Sequence, residues 1–181
     1  MNTTLGEIYL ESVVKRLITY KVLGEGTFAQ LEEKDFYYTP GAGSNSIAVI
    51  IQHMSGNMMS RWTNFLTEDG EKEGRDREKE FSAPSLGKDQ LLALWEKGWS
   101  CLLDALLSLK EEDLMATILI RHEPLTAVDA INRQLAHYPH HVGQIVYIGK
   151  MIRNKDWQSL SIPKGASGQF NQQMQERHGG K

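Results

Sequence analysis

An all-α architecture is expected of this chain: a four-helix bundle with a long connection between helices two and three and a C-terminal extension. Three observations point to it. Four stretches carry apolar residues at helical spacing over several turns. Segments rich in Gly and Pro, or in charge, separate them. Alternation of the kind a strand needs is confined to one weak run, "MATILIR". With 181 residues, 40% hydrophobic and 24% charged, the chain can bury one sizeable core. One domain over 1–181 follows, the bundle occupying about 4–154 and a tail 155–181.

The first helix opens on Thr4 and Glu7, the spacing of a capping box. Leu5, Ile8, Val13, Leu17, Tyr20 and Leu23 make its expected apolar stripe, and it is expected to reach about Glu32 despite Gly24 and Gly26. "YYTPGAGSNS" is a break. Helix two starts near Ser46 and carries Ile47, Ile50, Ile51, Met54, Met58, Trp62 and Phe65. Between Thr67 and Gly87 the pattern dissolves into charge, Gly, Ser and Pro, which reads as a solvated connection. Helix three starts near Ser85 and carries Leu91, Leu92, Leu94, Trp95, Trp99, Leu102, Leu103 and Leu106. "MATILIR" reads as a short extended segment. Helix four begins around Pro124, a residue suited to a first turn, and runs to about Arg153. The tail is loop, followed by a short helix near Gln169 to Glu176.

The formal net charge is −3, with cations and acids interspersed and no basic stripe, so nucleic acid is not an expected partner. The longest apolar run, Ile47 to Ile51, falls far short of the roughly 20 residues needed to span a bilayer. The first residues lack the continuous apolar core of a signal peptide. No membrane association and a cytoplasmic location are the resulting expectations. The single cysteine, Cys101, lies in an apolar stretch and reads as a small core residue.

The chemistry-bearing feature is "LAHYPHHVGQIV", residues 135–146. His137 and His141 stand at i and i+4, so on a helix they share a face and can meet one ion. His53 interrupts the apolar run of helix two, in phase with Ile50, Met54 and Asn57. Burying its ring unpaired costs a few kcal/mol on the order of other orphaned polar groups. A hydrogen bond or a metal ion removes that cost, and the residues alone leave both open. His140 points about 100° away from His141 and belongs at the rim. His122 and His178 read as solvated. Pro139, between the paired histidines, removes one helical hydrogen bond and is expected to kink the helix there.

"HYPHHVGQIVYIGK" resembles the HxxxH-x-G-Q signature of the DinB-like (YfiT-like) metalloenzyme superfamily. "HMSGNMMSRWTNFLTEDGEKEGRDREKEF" and "LSIPKGASGQFN" resemble an uncharacterised branch of it, so the likeness covers essentially the whole chain. The resemblance implies a four-helix bundle with a long connection between helices two and three. It implies a divalent ion, nickel or zinc, on one histidine of helix two and the two of the HxxxH; these are His53, His137 and His141. It also implies a homodimer, and a small-molecule substrate with a low-molecular-weight thiol as partner.

Three neutral imidazoles leave coordination positions open, as catalytic metal sites do. Asn57 and Gln144 are candidates to support the ligands or to touch substrate, although each also reads as a polar residue at the bundle edge. Arg61, Arg75 and Arg77 are candidates to hold an anionic group, or else a solvated charged face. Trp62, Trp95 and Trp99 line a pocket or fill the core. Two functions are compatible with these residues. One is a metal-dependent S-transferase or hydrolase. The other is a non-catalytic helical stress-related or binding protein with a structural ion or none.

Overall fold

A computed structural model describes residues 3–179. The chain folds into a helical bundle in which the only sheet among the described residues is one short hairpin. Its elements are α1 (Leu5–Phe28), α2 (Ile47–Trp62), a single turn α3 (Arg77–Glu80), α4 (Lys88–Ser108), β1 (Thr117–Ile120), β2 (Glu123–Thr126), α5 (Ala127–Arg153) and α6 (Ser167–His178). The four long helices form the bundle, with α2 packed chiefly on α4 and α1 chiefly on α5. None of the described helices is long and apolar enough to cross a membrane.

The capping box of α1 is present: Thr4 Oγ1 accepts from Glu7 N at 3.2 Å, and Glu7 Oε2 accepts from Thr4 N at 2.9 Å. The buried face differs from the expected stripe. Leu10, Val13, Leu17 and Phe28 point inward, whereas Leu5 and Ile8 lie out of phase with them and are exposed. The helix also ends four residues early. Lys88 Nζ donates to the carbonyls of Phe28 (3.2 Å) and Leu31 (2.6 Å), satisfying acceptors that a longer helix would have used itself.

Ser46 caps α2 by accepting from Val49 N at 3.3 Å, at the expected boundary. This helix is buried on nearly every side. It approaches α4 closely where Gly98 has no side chain; a Cβ there would lie 2.9 Å from Ser55 Cα. Trp62, Trp95 and Trp99 are all buried in the core, and none lines the cavity beside the histidines.

Two expected starts are displaced. Helix α4 begins at Lys88 because Leu86 is held extended: its backbone N donates to Tyr37 Oη at 3.1 Å, and its carbonyl accepts from the same hydroxyl. Pro124 is not the first turn of a helix. It sits in β2 opposite Leu119, where a two-stranded hairpin tolerates a residue without an N–H. Thr126 then caps α5 by accepting from Asp129 N at 3.3 Å. The extended reading of "MATILIR" corresponds to β1, and the late helix of the tail to α6. Helix α5 continues unbroken through Pro139.

The largest departure concerns the segment between α2 and α4. It is not simply a solvated linker: the side chains of Arg75 and Glu80 are only 4% and 8% exposed. Gln52 on α2 grips it, its Nε2 lying 3.0 Å from the carbonyls of Lys79, Glu80 and Ser82. That docking carries Glu80 and Phe81 against His53.

Candidate metal centre

Helix α2 brings His53 and helix α5 brings His137 and His141 to one point. His137 Nε2 lies 3.0 Å from His141 Nε2 and 3.4 Å from His53 Nε2. Ligand atoms from all three rings fall within 4.8 Å of one another. His53 is buried, and the other two are partly buried.

The opposite edge of each ring decides its tautomer. His53 Nδ1 is 3.0 Å from Glu80 Oε2. His137 Nδ1 is 3.1 Å from Gln134 Oε1, and His141 Nδ1 is 2.9 Å from Gln144 Oε1. Carboxylate and amide oxygens only accept, so each Nδ1 carries the proton and each neutral ring keeps its lone pair on Nε2. The orientation of Gln144 is fixed in turn, since its Nε2 lies 3.2 Å from His140 Nε2. Three Nε2 lone pairs therefore face one another at hydrogen-bond distance with no proton between them. That arrangement is repulsive without a cation and suits a borderline divalent ion such as zinc or nickel. The donor set fits the ion that the histidine spacing implies.

His137 and His141 resist protonation. Burial, with the neighbouring His141 and His53 and the guanidinium groups of Arg61 and Arg75, pushes His137 down to about 3. Burial also lowers His141, against an upward pull from Gln144. A ring that stays neutral keeps its Nε2 lone pair available to a metal.

Behind His53 runs a chain of charge. Arg75 holds both oxygens of Glu80 in a fork, Nε to Oε1 at 2.7 Å and Nη2 to Oε2 at 2.8 Å. Burial tends to raise the Glu80 carboxyl, but Arg75 and His53 outweigh it and the net shift is downward. Arg75 also reaches Glu71 Oε2 at 3.2 Å, an oxygen shared with Arg61 at 2.9 Å and Arg121 at 3.1 Å. The Glu80 carboxylate packs so closely on α2 that a Cβ at Gly56 would collide with it. Phe81 stacks on the His53 ring at 4.6 Å between centroids.

A cavity of about 340 Å³ opens beside the three histidines. Asn57 lines it, and its position is set from the core: Trp62 Nε1 donates to Tyr138 Oη at 3.0 Å, and that hydroxyl donates to Asn57 Oδ1 at 2.9 Å. The amide N–H groups of Asn57 are what it can still offer a ligand.

The structure thus brings together His53, His137, His141, Asn57 and Gln144. Arg77 borders the same cavity; Arg61 and Arg75 are buried and engaged by Glu71 and Glu80. His140 lies at the rim, and His122 and His178 are exposed. Cys101 is partly buried, 3.6 Å from Thr63 Oγ1, and remote from the histidines in its contacts. Sequence reasoning missed Glu80, Phe81, Gln134, Arg121 and Arg133. Gln134 and Arg133 stand three and four residues before His137, a helical spacing that marks them for its face. Glu80 carries no such signal, because the segment that holds it has no period.

The sequence matches, over residues 4–166, the family described as "Protein of unknown function (DUF1572)". No curated protein matches it.

Proposed function

We propose that this chain, which belongs to the DUF1572 family, is a divalent-metal-dependent enzyme of the DinB-like type, acting as a thiol-dependent S-transferase or a hydrolase. The observation that carries this reading is the convergence of three Nε2 lone pairs, each oriented by an acceptor on its Nδ1, at the wall of an open cavity. His53, His137 and His141 would hold the ion. Among the described residues no fourth His, Cys, Asp or Glu joins them, as a closed structural site would require. This weighs against the reading as a non-catalytic protein with a structural ion.

When bound, a divalent ion supplies Lewis acidity, lowering the pKa of a water or thiol admitted to the cavity. The chain's own residues do the rest. Glu80, Gln134 and Gln144 fix the rings. Asn57 offers amide donors toward the cavity. None of the described residues lining the cavity is a carboxylate, so no Asp or Glu stands ready as a base. A thiol, with an ordinary pKa of about 8.5, ionises without one far more readily than water does, which favours the transferase over the hydrolase. The DinB-like resemblance supports a homodimer with a low-molecular-weight thiol as partner and nickel or zinc as the ion; a cytoplasmic location belongs to the proposal but does not rest on that resemblance.

The test is metal analysis of tag-free protein. One ion per chain is expected, lost in His137→Ala while the circular dichroism of the bundle is retained. Turnover is then sought with small thiols and electrophiles. Protein that neither carries nor takes up zinc or nickel at micromolar concentration removes the proposal.

A further inference from the structure

We propose that the cavity beside the three histidines takes a small organic anion, a carboxylate or phosphate, held by Arg77, Arg121 and Arg133. The inference rests on the metal-centre reading for what the anion is brought next to, but its own support is separate. Four arginines line the cavity, Arg75, Arg77, Arg121 and Arg133, and no described Asp or Glu does. They come from different parts of the chain: the α2–α4 connection, the tip of the β hairpin and helix α5.

Pairing within the protein does not account for them. Arg75 is consumed by Glu80 and Glu71. A single oxygen of Glu71 serves Arg61, Arg75 and Arg121 at once. Arg77 has only Glu78 at 3.6 Å, a pair that is solvent-exposed and therefore weak. Arg133 has no ion pair among the described residues. Five guanidinium groups are thus set against the carboxylates of Glu71, Glu80, the exposed Glu78 and, behind the hairpin turn, Asp69. A chain with net charge −3 has gathered positive charge at its histidine centre.

The guanidinium groups are also placed. Arg77 lies over the Phe81 ring at 5.0 Å, and Phe81 stacks on His53, so this cation is registered to the centre itself. Arg133 precedes His137 by one turn of α5. Arg121 and His122 form the hairpin turn with φ of 55° and 63°, a left-handed conformation that non-glycine residues adopt at a cost. Asp69 holds it there, its oxygens accepting from Arg121 N at 2.9 Å and His122 N at 2.8 Å. Guanidinium forks arranged around a small cavity match the planar acceptor pairs of carboxylates and phosphates.

The test is isothermal titration of the full chain with succinate and with inorganic phosphate, in chelator and again after zinc loading. Saturable binding of at least one probe in chelator is expected, weakened roughly tenfold in Arg77→Gln and in Arg133→Gln, with circular dichroism and zinc stoichiometry unchanged. Both variants alter partly or fully exposed side chains, so the fold is not at stake. Absence of binding by either probe up to about 10 mM in both states overturns the inference, as does binding equal in wild type and variants. Zinc uptake without anion binding sinks this proposal alone. Anion binding in chelator without zinc uptake sinks the metal reading alone.

Discussion

His53 Nδ1 and Glu80 Oε2 lie 3.0 Å apart, one on a bundle helix and the other on the segment that leaves it, and both side chains are buried. Helix α2 alone cannot orient that imidazole. The carboxylate that does so is itself held by Arg75, so removing Glu80 should be felt twice. Glu80→Ala leaves the buried Arg75 guanidinium only its share of Glu71 and should cost about 3 kcal/mol in urea unfolding. Glu80→Gln keeps an acceptor for the ring but loses the charge, and should weaken zinc binding roughly tenfold in a chelator competition. Unchanged zinc affinity in Glu80→Gln would confine Glu80 to a structural role.

Acid should loosen the metal-free chain before it protonates most carboxylates. His137 is held near 3 in the fold, against an ordinary 6.5 once unfolded. Between those values the unfolded chain binds the extra proton, so stability falls as pH falls from about 6.5 toward 3, and this group contributes no slope above that window. His141 is shifted in the same direction. Urea midpoints in chelator at pH 7.5, 6.0 and 5.0 test this; a midpoint that does not drop below pH 6.5 contradicts it.

Two glycines, Gly56 on α2 and Gly98 on α4, separate packing from chemistry. A Cβ at Gly56 meets the Glu80 carboxylate, and one at Gly98 meets the Ser55 backbone. Each Gly→Ala change should overpack its contact at a cost of about 1–3 kcal/mol, offset by up to about 1 kcal/mol of helix propensity. Only Gly56→Ala displaces the carboxylate, so it alone should also lower zinc affinity. Equal affinity losses in both variants would count against that division.

The hairpin turn offers a local test. Asp69 accepts from three backbone N–H groups, those of Glu71, Arg121 and His122, and these bonds hold its carboxyl down at about 2. Asp69→Ala should cost about 2 kcal/mol, and adding His122→Gly should recover about 1 kcal/mol by relieving a positive φ. Thermal melts of the single and double variants measure both steps. If the second change destabilises further, the turn is not strained as argued.

The bundle was legible because its four helices carry their period openly and their caps, Thr4 and Ser46, sit where capping chemistry predicts. The histidines were legible for the same reason: His137 and His141 share a face by spacing, and His53 breaks an apolar run. The misjudged boundaries each yielded to a distant partner. Lys88 ends α1, Tyr37 delays α4, and Leu119 draws Pro124 into a strand. The connection was misread for a deeper reason. Arg75 and Glu80 are buried because they neutralise each other while Glu80 also accepts from His53, and a pattern of mixed charge looks the same whether its charges face water or one another.

The docking of residues 71–82 onto α2 has a dynamic consequence. The segment is anchored by a carboxylate on a ligand ring, by Phe81 against that same ring and by Gln52, so its opening and the loading of the centre draw on the same free energy. Occupancy of the histidines should therefore act as a latch, slowing amide exchange and proteolytic nicking in this stretch while leaving α1, which carries no ligand, indifferent.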